Sequence, residues 1–167
     1  MKFLEKVIVG ILIGVITYLF LVPFIHELGH YIYAVVNGWK VTAFNVSIPA
    51  LVTPSFVSVV IPTGTPITLF LMSGSFNTMI WGFFISLIPI LLKKLHFNPY
   101  HYVFLSIGYG LISDSIVYPI SDYFFFQFGD FYRAGFIPSL ITVMFGFVAI
   151  YVSVGFNRIA KQYQLRL

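Results

Sequence analysis

Charges are kept out of long stretches of this chain, and that constrains its fold more than any other feature. Val7 to Ile25 contains no Asp, Glu, Lys or Arg, and Ile67 to Leu92 contains none either. Tyr102 to about Phe126 and Phe136 to about Phe156 are nearly as clean, the acidic exceptions being Asp114 and Asp122. Runs of about 20 apolar residues match the thickness of a bilayer's hydrocarbon core. Only 8% of the residues are charged and 59% are hydrophobic, whereas a soluble domain carries about 25% charged residues. Such a chain has too little polar surface to face water all round. The expected architecture is a membrane all-α protein, one domain over residues 1–167, with about four transmembrane helices.

Between the first two spans the pattern changes. Val41 to Ile48 and Ser55 to Ile61 are rich in Val, Thr, Ser and Phe, and they flank a Pro-containing turn. They read as a short β-hairpin. An open strand edge is not tolerated in lipid, so the hairpin must lie at the interface or against the helices. Asn37-Gly38 stops the helix before it. Gly10 and Gly14 form a small-residue pair that permits close helix packing. The basic head Lys2–Lys6 before an apolar run also fits a signal peptide. The run is long, however, and lacks an A-x-A-like cleavage site, which favours a retained span.

The distribution of charge orients the spans. If each crosses once, Lys2, Lys6, Lys93, Lys94, Arg158, Lys161 and Arg166 share one side, and Lys40 and Arg133 lie on the other. The positive-inside rule makes the first side cytoplasmic, with both termini there in a multi-pass protein. Four His and no Cys leave only His, Asp, Glu or Asn to hold a metal. Nothing in the pattern points to a nucleic-acid partner, and the oligomeric state stays open.

At the end of the first span stands His26-Glu27-Leu28-Gly29-His30, an H-E-x-x-H motif. On a helix its two histidines lie one above the other on one face. Two neutral imidazoles at that spacing can bind Zn²⁺, with Glu27 as general base toward a metal-bound water. Three ionisable groups within five residues of a span need a shared reason, and a metal ion supplies one. A catalytic zinc site usually takes a third protein ligand. The chain has three aspartates, Asp114, Asp122 and Asp130. His26 lies about eleven residues before its helix ends and Asp114 about twelve before the third span ends, which puts them at similar depth at 1.5 Å per residue. Depth thus ranks Asp114 first, then Asp122, then Asp130, the last needing its loop to fold back. A break at Pro119 would favour the later two.

Taken together, H-E-L-G-H at 26–30, the strand-rich segment, Gly74-x-x-Asn77 in the next span and an intramembrane aspartate in the one after resemble the site-2 protease family of intramembrane zinc metalloproteases. The likeness covers nearly the whole chain in element order; H-E-x-x-H is its one specific motif. In that family an aspartate in a later core helix completes the zinc site, within a signature ending L-D-G. Here Asp114 stands in Ile112-Ser113-Asp114-Ser115 and no L-D-G occurs, as in a minimal, remote member. No PDZ-like module is present to choose substrates.

The resemblance implies an intramembrane endopeptidase that hydrolyses peptide bonds in or near transmembrane segments of membrane proteins. Its expected partners are such a substrate and the lipid bilayer. His26, His30 and an aspartate would hold zinc, and Glu27 would move the proton. Asn77 would bond the substrate backbone or the oxyanion, or else a neighbouring helix. The hairpin edge could receive an extended substrate by strand addition. Two other classes fit the same residues: a metal or proton carrier, and a non-proteolytic binder of transmembrane segments.

Overall fold

The computed structural model describes residues 3–47, 55–91 and 100–164. Among them, four helical stretches are long and apolar enough to cross a membrane: Val7–Val36, Thr68–Leu91, His101–Phe126 and Phe136–Ala160. In chain order the elements are α1 (Phe3–Ile16), α2 (Val22–Val36), strands β1 (Lys40–Asn45) and β2 (Phe56–Val60), α3 (Thr68–Leu91), α4 (Tyr100–Ile120), α5 (Asp130–Ala134) and α6 (Phe136–Gln164). The expected helices and hairpin are therefore present. The turn at 48–54, the Lys93-Lys94 loop with His96, and the ends carrying Lys2 and Arg166 lie outside the described residues.

Two of the spans are not uniform helices. Thr17–Leu21, between α1 and α2, and Ser121–Phe126, after α4, are π-helical. Pro23 lies at the start of α2 and has no N–H to give. The widened turn before it lets Val22 N–H reach back to the Thr17 carbonyl. The chain passes the proline without ending the helix. Pro119 likewise leaves α4 intact, so the span runs on to Phe126. Gln127 then stops it in the left-handed region at φ 55°.

Polar side chains are buried between the helices beside apolar ones, while large apolar side chains cover the outside. Ser75, Thr78, Ser86, Ser115, Thr142 and Ser153 are fully buried, while Ile11, Leu12, Phe147 and Tyr151 are exposed. Small residues let helix backbones approach where lipid gives no hydrophobic drive. The α3–α4 crossing shows this: a Cβ on Gly108 would come 2.7 Å from the Gly82 carbonyl oxygen. Gly10 faces the Ser106 hydroxyl, where a Cβ would stand 3.1 Å away, so the first small-residue position does pack against α4. α3 sits centrally, touching α2, α4, α5 and α6.

The hairpin is antiparallel, pairing Lys40 with Val60 and Asn45 with Phe56, and is irregular between Val41 and Ala43. It is folded against the helices: Val41, Val59 and Ile61 pack on a core of Ala34, Trp39, Phe70 and Leu71. Residues 127–133 differ from the expected loop. Most of the helical turn α5 falls within them, and its Phe131 is fully buried. A bare loop at this depth would leave backbone N–H groups unpaired; winding into a turn and inserting Phe131 avoids that.

Candidate metal centre

His26 and His30 lie one turn apart on α2 and are buried, at 6% and 3% exposure. Each outer nitrogen is occupied. His26 Nδ1–H donates to Asp114 Oδ2 at 2.8 Å. His30 Nδ1–H donates to the Phe70 carbonyl at 2.7 Å. A carbonyl oxygen can only accept, so the proton on His30 is at Nδ1. Asp114 Oδ2 also accepts from Ser75 Oγ at 3.1 Å and Thr78 Oγ1 at 2.9 Å, which makes it the acceptor for His26. Both Nε2 atoms are left with lone pairs, 3.2 Å apart.

Asp130 adds a third acceptor. Its Oδ2 is 3.1 Å from His30 Nε2, and ligand atoms of His26, His30 and Asp130 all lie within 4.8 Å of one another. Three acceptors converging, two of them buried and Asp130 half-buried, repel unless a cation sits among them. A group of this kind could hold a metal ion. Tetrahedral bonds of about 2.0–2.1 Å imply ligand–ligand edges of roughly 3.3 Å, and the observed 3.1 and 3.2 Å edges fit.

Gly74 of α3 forms the wall beside these nitrogens. A Cβ there would collide with His26 Nε2 and lie 2.7 Å from His30 Nε2. Gly29 on α2 matches it, since its own Cβ would lie 3.0 Å from Gly74 Cα. The crossing thus brings the α3 backbone to the imidazoles and leaves the space between them unfilled.

The three aspartates hold three different places. Asp114, ranked first by depth, reaches the outer nitrogen of His26 and not the Nε2 pair. Asp130, ranked last, faces that pair because α5 folds back. Asp122 does neither: its Oδ2 accepts the Phe131 N–H at 3.2 Å, at the start of α5. Depth along a straight helix locates Asp114 well, but it says nothing of which nitrogen is met or of a turn that returns after the span.

Glu27 is buried at 7% exposure, within electrostatic reach of His26, His30 and Asp130. Its carboxylate takes no hydrogen bond from a described residue. Asn77 Nδ2 donates to the Ile25 carbonyl at 2.6 Å, so this amide ties α3 to α2. The residues that hold the histidines' outer side, Phe70, Ser75 and Thr78, escape a reading of the sequence as ligands. The trace of Ser75 and Thr78 is the run Ser73-Gly74-Ser75-Phe76-Asn77-Thr78; Phe70 acts through its carbonyl and leaves none.

Removing the acceptor behind His26 tests this arrangement. Asp114→Leu is expected to weaken metal binding about 10–100-fold, as loss of such an orienting partner does. A metal titration of the purified variant checks it, and unchanged affinity would contradict the role given to Asp114. No family model, curated protein or solved structure matches this chain.

Proposed function

We propose that the chain is an integral membrane zinc endopeptidase that cleaves peptide bonds in or near transmembrane segments, as its resemblance to the site-2 protease family implies. One observation carries the reading: two buried histidine Nε2 atoms and a half-buried carboxylate oxygen converge within 4.8 Å, with the outer nitrogens already committed. His26, His30 and Asp130 would hold the ion. Two nitrogens and one oxygen, with no thiolate, suit zinc with a position left open. When bound, zinc supplies Lewis acidity toward a scissile carbonyl and makes water a better nucleophile at neutral pH.

The chain's own residues do the rest. Glu27 takes a proton from the attacking water and returns it to the leaving amine nitrogen. Asp114 and the Phe70 carbonyl keep both Nε2 atoms deprotonated toward the site. Asn77 holds α3 against α2, so that Gly74 stays beside the histidines. The hairpin reaches the same place through Trp39, whose ring packs on Phe70 at 5.4 Å between centroids. A substrate helix hides its amides, and an extended segment paired to a hairpin edge would expose them. The charge asymmetry of the sequence supports an orientation with both termini cytoplasmic and the site toward the opposite face.

Metal analysis of purified protein tests the reading. The wild type is expected to carry about one zinc per chain and to cleave a transmembrane peptide. His30→Ala should lose both. A wild type free of metal after exposure to excess zinc would overturn the proposal.

A further inference from the structure

We propose that Asp122 is a positioning residue: by capping α5 it sets Asp130 against the histidine pair, without itself being a ligand. This rests on the reading of His26, His30 and Asp130 as a metal centre. An acidic side chain at 3% exposure near a span's end needs a reason to be there. Its hydrogen bond supplies one. Asp122 Oδ2 accepts the Phe131 N–H at 3.2 Å. Phe131 is the second residue of α5.

α5 cannot hold itself. It has five residues, far below what a helix needs for stability of its own. Glycines at positive φ flank it, Gly129 at 92° and Gly135 at 97°, and neither resists rotation as another residue would. α5 packs on α3, α4 and α6, and two of its contacts bear on where Asp130 points. Phe131 is buried with its ring against Tyr118 at 5.8 Å, and Tyr118 in turn meets His26 at 4.7 Å. That ring fixes the middle of the turn. Asp122 fixes its start, where Asp130 departs.

The approach of Gly129 supports the same assignment. A Cβ on Gly129 would collide with the Asp122 carboxylate. The chain passes so close that only glycine fits, and this puts the Phe131 amide on the carboxylate. Asp130 Oδ2 then lands 3.1 Å from His30 Nε2. With the cap removed, the turn can pivot on Phe131 and carry Asp130 away.

Cobalt(II) titration of the full chain in detergent, read by visible absorption, tests this together with amide exchange at Phe131. Asp122→Leu is expected to bind Co²⁺ about 10–100-fold more weakly and to lose protection at Phe131. Asp122→Asn keeps an acceptor oxygen and should restore both to near wild type. Gly129→Ala disturbs the contact without removing the carboxylate and should weaken binding to a similar degree. In an Asp130→Ala background, Asp122→Leu should have no further effect on affinity. The proposal is overturned by wild-type affinity in both Asp122→Leu and Gly129→Ala, by no rescue in Asp122→Asn, or by undiminished effect of Asp122→Leu in the Asp130→Ala background. A wild type that takes up no cobalt overturns the metal reading itself. Exchange at Phe131 needs no metal, and it separately shows whether Asp122 holds α5.

Discussion

Glu27→Gln is expected to keep about one metal per chain and to lose about 10²–10⁴-fold in peptide cleavage, the usual worth of a positioned general base. Glutamine keeps the size and shape of glutamate but cannot take the proton. Glu27 is also outside the group His26, His30 and Asp130, so the proposed ligands stay intact. The pairing of outcomes is what matters. His30→Ala is expected to lose metal and cleavage together, whereas Glu27→Gln should separate them. Cleavage of a transmembrane peptide, measured as kcat/KM beside metal content, checks this. A Glu27→Gln variant that cuts at the wild-type rate would remove Glu27 from the proposed chemistry.

The second large effect comes from one methyl group. Gly74→Ala should weaken metal binding by at least about 100-fold, the upper end of what losing an orienting partner costs. Its Cβ would occupy the space at His26 Nε2 and His30 Nε2. The helices cannot separate to make room without loss, because Gly29 meets Gly74 at the same crossing and Asn77 ties α3 to the Ile25 carbonyl. Both imidazoles are also held from behind by Asp114 and Phe70. Gly155→Ala in α6 is the control, since its added methyl meets nothing within 4 Å. A cobalt titration compares the two, with thermal melts to show that both are folded. Equal affinities would mean that Gly74 is not the wall of the site.

Much of this centre was legible in the residue order. Spacing alone puts His26 and His30 on one helix face, because four residues nearly close a turn. Uncharged length locates the four spans, and β-branched residues between prolines locate the hairpin. Asp114 was legible as a partner at the right depth, since depth in a straight span follows from counting residues. Its nitrogen was not. Whether a carboxylate meets the Nδ1 or the Nε2 of an imidazole depends on the rotation of α4 about its own axis and on ring rotamers, and neither is encoded in spacing. Asn77 shows the same limit: a polar residue in a span must find a partner, but the partner turned out to be a carbonyl on α2.

Asp130 marks the boundary most clearly. The local pattern by itself determined the membrane-length helices, the hairpin and a histidine pair at membrane depth, because each follows from periodicity within one segment. Which of three aspartates reaches that pair was decided only by tertiary structure. Two glycines at positive φ, a buried Phe131 and the Asp122 cap turn the chain back after the third span. Their effect is to carry Asp130 to a histidine a hundred residues earlier in the chain. Such contacts depend on packing between segments, and a count along any one segment does not contain them.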